Sequence, residues 1–262
     1  MELENIFVIS RQCDVDRREH INSHIPDLNV GGHTFINAVT ANSSEVEACY
    51  RSGRVRPFPP CFRCGKPLCD CDNNILNREQ VANWLSFISV WERCAKQRDK
   101  YFLILEDDVS FFAGAIPVAH TLLAELNEIS SPHLIRLAQS GLDHSVPLDS
   151  ITYKLTSRIT MSNPAYLLNG AMAAFLISHL GRFEHTSDHW LHKVAAQSST
   201  VRAGTVKPLL ATDLSYDPRY AVFATGIVGK SITGDDPRHT RTVRCRDQRE
   251  YEALLDSWFG KN

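Results

Sequence analysis

The sequence lacks long apolar runs, an excess of charge of either sign, and internal repeats. No apolar run reaches the roughly 20 residues that a membrane-spanning helix needs, so no segment is a candidate for one. Its 28 basic and 30 acidic residues give a formal net charge of −2, which argues against nucleic acid as a partner. The acidic start, MELEN, has neither the positive charge nor the apolar stretch of a signal peptide, and this predicts a cytoplasmic protein. A GxxxxGK[ST] phosphate-binding loop is also missing.

Cysteine, by contrast, is plentiful and clustered. Four of the eight cysteines fall within eleven residues, at Cys61, Cys64, Cys69 and Cys71. The first pair has the Cys-x-x-Cys-Gly spacing of a zinc knuckle, and the second pair would complete a closed, structural Zn²⁺ site of four thiolates. Such a site would pin residues 51–74, an insertion rich in Arg, Pro, Cys and Gly that has neither helical nor strand periodicity. Free thiols, or disulfides in an exported protein, are the alternatives.

Alternating strands and helices indicate an α/β fold. Residues 5–10 and 33–39 have the composition of buried strands, and a helix between them predicts that the two strands are parallel. The clearest helix follows Asn77, which forms a capping-box pattern with Gln80 ahead of an apolar stripe. Another helix is expected after Ser187 as its cap. Further strands are expected at residues 101–105, 133–138, 151–158, 171–178 and 205–215.

An acidic triplet closes one of these strands. The segment YFLILEDDVSFF, residues 101–112, runs from apolar residues into Glu106, Asp107 and Asp108. Adjacent negative charges repel one another and are costly to bury unless a partner neutralises them. Strand alternation places Glu106 and Asp108 on one face, at the end of the strand where open α/β sheets bind ligands. Such a pair suits a hard divalent cation that bridges a diphosphate, and the alternative is a solvent-exposed acidic turn.

The chain divides into a first domain over residues 1–225 and a carboxyl-terminal region over residues 226–262. That region is rich in arginine and ends in a helix that places Tyr251, Leu255 and Trp258 on one face. A helix that docks on the core explains this pattern. The alternative is a basic and aromatic edge that contacts an anionic membrane surface.

Several blocks of the sequence, in order, resemble glycosyltransferase family 25, whose members include lipopolysaccharide sugar transferases and collagen galactosyltransferase domains. They cover most of residues 5–219 and are IFVISRQCDVDRREHI, NWLSFISVWERCAKQRDKYFLILEDDV, NGAMAAFLIS, TSDHWLH and KPLLATDLSYDPR. Two departures accompany the resemblance. Phe87 stands where the family often has a histidine, and the cysteine cluster replaces a Gly-rich segment.

The resemblance implies a GT-A-like, Rossmann-like fold, in which a mixed, mostly parallel sheet is flanked by helices and carries the Cys-rich loop as an insertion. It also implies a metal-dependent, inverting enzyme. The expected reaction moves a sugar from a nucleotide-sugar, commonly a UDP-sugar, to a hydroxyl of a glycan, lipopolysaccharide or similar acceptor.

The resemblance also assigns roles to residues. Asp108 would be the chief ligand of Mn²⁺ or Mg²⁺, while Glu106 and Asp107 would assist the metal or hold the donor's ribose. Arginines suit phosphate because their guanidinium groups donate in a bidentate fork. Those assigned to the nucleotide are Arg11, Arg17 and Arg18. A solvated helix start is the alternative explanation of the last two.

Inverting transfer needs a general base for the acceptor hydroxyl, and Asp188 in the TSDHWLH block is the candidate. A helix start would hold it as a carboxylate, because the amino-terminal end of the helix dipole favours negative charge. The same argument supplies the alternative, an ordinary residue of a first helical turn. Asp213 is a further candidate for substrate contact.

Two other functions stay open at this point. The chain could be a non-catalytic, zinc-containing module that binds nucleic acid or a protein partner. It could also be a nucleotidyltransferase or phosphohydrolase that uses the carboxylates for metal-assisted phosphoryl chemistry.

Overall fold

A mixed β-sheet with helices on both faces organises the chain. This computed structural model describes residues 3–25, 32–58, 61, 66–67, 74–112, 115–125, 131–138, 154–156, 163–214 and 243–260. The strands are β1 Leu3–Ser10, β2 His33–Asn37, β3 Tyr101–Glu106, β4 Val109–Phe111, β5 His133–Arg136, β6 Lys154–Thr156, β7 Ala165–Asn169, β8 Arg202–Lys207 and β9 Ala211–Asp213. The helices are α1 Val15–His24, α2 Ser44–Arg51, α3 Arg78–Cys94, α4 Ala115–Glu125, α5 Gly170–Ser178, α6 Ser187–Gln197 and α7 Gln248–Phe259.

The main sheet contains seven strands in the order β2-β1-β3-β7-β5-β8-β6. β1 is parallel to both β2 and β3, and β5 is parallel to β8, whereas β7 and β6 run the opposite way. The predicted α/β class with a mixed, mostly parallel sheet is therefore confirmed, as is the parallel unit of β1, α1 and β2. The shared direction of β1, β3 and β5 brings their last residues, Ser10, Glu106 and Arg136, to one edge of the sheet.

Each face of this sheet has its own apolar core. On one face, Ile104 and Tyr166 pack beneath residues of α2, α3, α5, α6 and α7, and we call this the α3 face. On the other, Leu103 and Leu105 pack against α1 and α4, and we call this the α1 face. Because strand side chains alternate, Glu106 continues the row of Ile104 on the α3 face.

α3 begins where its capping box predicts. The Asn77 side chain accepts from Gln80 N at 2.8 Å, and Asn77 N donates to Gln80 Oε1 at 2.9 Å. The apolar stripe is buried along the helix, with Trp84 and Trp91 both at most 1% exposed. This burial fixes α3 against the sheet and carries Asn83, next to Trp84, to the end of β3.

The strand expected at residues 171–178 is wrong, because this segment is helix α5. A short run of apolar residues suits a buried strand and a buried helix equally well, so periodicity could not decide between them. Asn169 decides it locally, since its side chain accepts from Met172 N at 2.9 Å and caps a helix. The buried strand is the segment just before it, β7, which the sequence reading left unassigned.

Two other expected elements are shifted or divided, and a third, the carboxyl-terminal helix, lies where it is expected. The strand expected at 205–215 is two strands, β8 and β9, and β9 pairs with β4 rather than with the main sheet. The cap of α6 is Thr186, and the predicted cap, Ser187, is the first helical residue. α7 buries Tyr251 and Leu255 in the α3-face core, so the predicted docking of this helix is confirmed.

Part of the sequence analysis falls on residues outside the described ranges. Of the proposed zinc ligands only Cys61 is described, and Cys64, Cys69 and Cys71 lie outside. Of the strand expected at 151–158, residues 154–156 are seen as β6. Among the helices of the described part, none is long and apolar enough to cross a membrane.

Candidate active site

The acidic triplet lies at the carboxyl edge of the sheet and is enclosed by protein. β3 ends at Glu106, and Asp107 and Asp108 form the turn that leads into β4. Asp107 is 5% exposed and Asp108 is 8% exposed. The alternative of a solvent-exposed acidic turn is therefore wrong.

A buried arginine from α1 neutralises this turn. Arg17 Nη1 donates to Asp107 Oδ1 at 2.6 Å and to Asp108 Oδ2 at 3.4 Å. Arg17 is itself 8% exposed, so it is not part of a solvated helix start. Burial alone would lower the pKa of Arg17, but the charges of Asp108 and Asp107 outweigh burial and raise it.

Glu106 lies on the α3 face of the sheet, whereas Arg17 comes from the α1 face. The Glu106 side chain is part of a chain of hydrogen bonds. Asn83 Nδ2 donates to Glu106 Oε1 at 3.3 Å, and Ser187 Oγ donates to Asn83 Oδ1 at 2.7 Å. One amide side chain thus ties the end of β3 to the start of α6. Asp188, the next residue of α6, is brought to the same face as Glu106.

Strand alternation does not decide whether Glu106 and Asp108 share a face, and that placement stays a prediction. Alternation holds only as far as the strand continues, and β3 stops at Glu106. The turn then carries Asp107 and Asp108 together toward α1, where a single guanidinium reaches both. Asp108 still exerts the largest effect of any neighbouring charge on Glu106, so the two carboxylates remain close enough to interact.

Mutual repulsion is strong enough to perturb the carboxyl groups. Burial, followed by the charges of Asp108, Asp213 and Asp107, raises the pKa of Glu106 well above its usual value. Burial also raises the pKa of Asp107, although the charge of Arg17 opposes this. The negative charge of Glu106 is therefore unfavourable, because its hydrogen-bond partner, Asn83, is neutral.

The small β4–β9 sheet adds a fourth carboxylate. Val109 pairs with Asp213 in the antiparallel register, and Leu214 N donates to Asp108 O at 2.7 Å. Asp213 is 4% exposed, and its charge acts on Glu106. The sequence candidate Asp213 is thus brought to the acidic turn.

Buried carboxylates around a strand end, a guanidinium on one side and an acidic helix start on the other suit a site for an anionic nucleotide and a metal ion. The sequence model of glycosyltransferase family 25 (LPS biosynthesis protein) matches residues 3–191, which run from β1 into α6. The chain belongs to glycosyltransferase family 25. It is a glycosyltransferase, rather than the binding module or phosphoryl-transfer enzyme that the sequence alone left open. No curated protein is similar enough to the chain to count as a match.

The other two arginines assigned to the nucleotide of this glycosyltransferase lie near the end of β1. Arg11 forms a bidentate pair with Asp14, with nitrogen–oxygen distances of 2.7 and 2.8 Å. Arg18 donates to Ser10 O at 3.0 Å, and its guanidinium lies 4.7 Å from the centre of the Phe35 ring. Both are held beside the sheet edge that carries the acidic turn, and their contact with a nucleotide stays a prediction.

The structure explains why Phe87 stands where the family often has a histidine. The ring is fully buried, and its centre lies 6.0 Å from that of Trp91 and 6.1 Å from that of Tyr166. A histidine there would have to bury a polar ring among aromatic side chains. In this transferase the position therefore serves the core.

The carboxylates at this edge fit a divalent cation whose coordination shell is completed by a bound nucleotide. Within the described ranges, no three His, Cys, Asp or Glu side chains are arranged to hold a metal ion by themselves. Cations of the Mg²⁺ type at nucleotide sites take one or two protein carboxylates and complete their shell with phosphate oxygens and water. Asp108, with Asp213 or Glu106 as a neighbour, meets that smaller requirement.

Sequence reasoning missed two side chains that build the site. Asn83 sits beside the apolar stripe of α3 and carries no motif, so nothing local marks it as the link between Glu106 and Ser187. Arg136 interrupts the apolar strand segment HLIRLA, and that interruption was the available signal. The structure places Arg136 at the sheet edge, with no exposed surface.

Replacing Glu106 with glutamine is expected to stabilise the apoprotein above about pH 5. A folded pKa above the unfolded one means that stability falls as pH rises from the ordinary glutamate value toward the folded value. The Glu106→Gln side chain would keep an oxygen to accept from Asn83 and would carry no charge to bury. The stability gained is at most about 1.4 kcal/mol for each pH unit between the unfolded and the folded pKa of Glu106. Melting temperatures measured with chelator from pH 4.5 to 8 should therefore diverge, and parallel curves for the two proteins would contradict the account.

Proposed function

We propose that the chain transfers a hexose from a UDP-sugar to a hydroxyl of a lipopolysaccharide or related glycan, with inversion at the anomeric carbon and with Mn²⁺ or Mg²⁺ bound. The observation that carries the proposal is the hydrogen-bonded chain from Glu106 through Asn83 to Ser187. It joins the two halves that such a reaction needs, an acidic turn for the leaving diphosphate and a second carboxylate, Asp188, for the acceptor.

The leaving-group half is the acidic turn with Arg17. In this proposal Asp108 holds the cation, with Asp213 or Glu106 as second protein ligand. The bound cation would neutralise charge on the departing nucleotide diphosphate. Arg17 holds Asp107 and Asp108 in place from the α1 face, which keeps their oxygens at the sheet edge.

The acceptor half is the start of α6. The acceptor oxygen forms a bond to the anomeric carbon as the bond from that carbon to the diphosphate oxygen breaks. The proton of the acceptor hydroxyl passes to Asp188, and the nucleotide diphosphate leaves with the bonding electron pair. Attack from the side opposite the leaving group inverts the anomeric centre.

The test is a panel of UDP-sugars with Mn²⁺ or Mg²⁺ and a lipopolysaccharide oligosaccharide acceptor. We expect one UDP-hexose to release UDP and to give an acceptor heavier by one sugar residue in mass spectrometry, with activity lost in chelator and restored by the cation. Asp108→Asn should lower the rate by more than about 100-fold. That is a larger loss than the removal of a residue that only hydrogen-bonds to a metal ligand causes. The surface variant Asp99→Asn is the control and should match the wild type. Binding of UDP-sugars with no transfer to any acceptor would contradict the proposal.

A further inference from the structure

Arg136 is a buried cation whose hydrogen-bonding capacity is unused. The residue is 0% exposed, and none of its three side-chain nitrogens has a hydrogen-bond partner among the described residues. A guanidinium carries five N–H donors and cannot shed its charge easily. Leaving such donors buried and unpaired costs free energy, so their retention needs a reason.

The position of Arg136 supplies that reason. It is the last residue of β5, in register with Tyr166 on β7 and Thr205 on β8. Tyr166 pairs in turn with Ile104, and Glu106 follows Ile104 by two residues on the same face, so the backbones of Arg136 and Glu106 are about 12 Å apart. The opposing charges of Asp188 and Glu106 both act on Arg136, although burial dominates and lowers its pKa to about 10.

A second buried polar group lies at the same edge. Asn163 is 4% exposed, and neither its oxygen nor its nitrogen has a hydrogen-bond partner in the part of the chain described. The next residue, Pro164, accepts from Glu106 N at 2.9 Å through its carbonyl. Within the described residues, two buried side chains with unused hydrogen bonds therefore lie at the edge of the sheet where β3 ends.

From this we infer that Arg136, with Asn163 at the same edge of the sheet, forms the subsite that holds the hydroxyl groups of the transferred sugar. The inference rests on the proposed function. The reacting sugar must sit between the diphosphate at the acidic turn and the base at the start of α6, which is the space where the charges of Glu106 and Asp188 meet Arg136. Sugar hydroxyls accept hydrogen bonds from a guanidinium, and the buried N–H groups of Arg136 that have no partner among the described residues supply the donors.

The experiment separates the sugar from the nucleotide. Calorimetry should measure the affinity for UDP and for the UDP-hexose that the wild type turns over fastest, in the wild type, Arg136→Met and Arg136→Lys, with the exposed Arg98→Met as control. We expect Arg136→Met to bind the UDP-hexose about 10- to 100-fold more weakly and to bind UDP as the wild type does. Arg136→Lys should recover part of the loss, and Arg98→Met should match the wild type.

Stability provides a second measurement. Burial of the Arg136 guanidinium outweighs the attraction of Asp188 and Glu106, so Arg136→Met should melt at or above the wild-type temperature. A lower melting temperature together with equal losses for UDP and UDP-hexose would show a structural role and overturn the inference. Unchanged affinity for both would overturn it as well, while leaving the proposed function intact. If the wild type turns over no UDP-hexose, the proposed function fails and the inference falls with it.

Discussion

Asp188→Asn is expected to lower the rate of sugar transfer about 10²- to 10⁴-fold, the range that a general base contributes. Asparagine has the same shape and keeps a hydrogen-bonding oxygen, but it cannot accept the proton of the acceptor hydroxyl. The affinity for UDP should not change, because the proposed nucleotide site is the acidic turn and not α6. The measurement is kcat at saturating donor and acceptor, together with calorimetry of UDP binding.

The alternative explanation of Asp188, an ordinary residue in a first helical turn, makes a different prediction. Loss of a charge at that place costs about 0.3–1 kcal/mol of stability and leaves turnover in place. Glu184→Gln is the matched control, because Glu184 lies just before α6 in a partly exposed pair with Arg56 at 3.5 Å. Equal turnover in Asp188→Asn and Glu184→Gln would remove Asp188 from the reaction.

Arg17→Met is expected to lower the free energy of unfolding by about 3–5 kcal/mol, which is the usual cost of stranding buried charge. The methionine fills much of the same volume but leaves Asp107 and Asp108 without their shared counter-ion. For a chain of this size the melting temperature should fall by roughly 10 °C. Denaturant unfolding of the chelator-treated protein measures the difference.

The pH dependence identifies the cause of that loss. Protonated carboxyl groups need no counter-ion, so the deficit of Arg17→Met should shrink as pH falls toward 4. Adding Asp107→Asn and Asp108→Asn to Arg17→Met should restore part of the stability. Arg18→Met serves as control, since Arg18 is partly exposed and contacts Ser10 and Phe35 instead. A deficit that is independent of pH and unrelieved by the asparagines would point to lost packing and not to charge.

Much of the fold follows from local patterns in the sequence. The capping box at Asn77, the apolar stripe of α3 and the β1–α1–β2 unit all depend on residues close together in the chain, and all are confirmed. The run of α5 does not separate helix from strand by periodicity, because apolar residues such as Phe175 and Ile177 also occupy its partly exposed face. The residue that indicates a helix here is its cap, Asn169.

The site was harder to predict, because its contacts join distant residues. Arg17 and Asp107 are 90 positions apart, and Asn83 and Ser187 are 104 apart. The acidic triplet could be recognised since its charges are adjacent in sequence. Which way each carboxylate points depends on where β3 ends, and no residue in the triplet marks that point.

The guanidinium of Arg17 has one more consequence. A divalent cation arriving alone at Asp108 must compete with a tethered positive charge that the chain already holds there. A cation arriving with a nucleotide diphosphate brings its own negative charge and can share the space with that arginine. Under the proposed function, metal binding would be coupled to donor binding, and free metal ions by themselves would leave the protein unchanged.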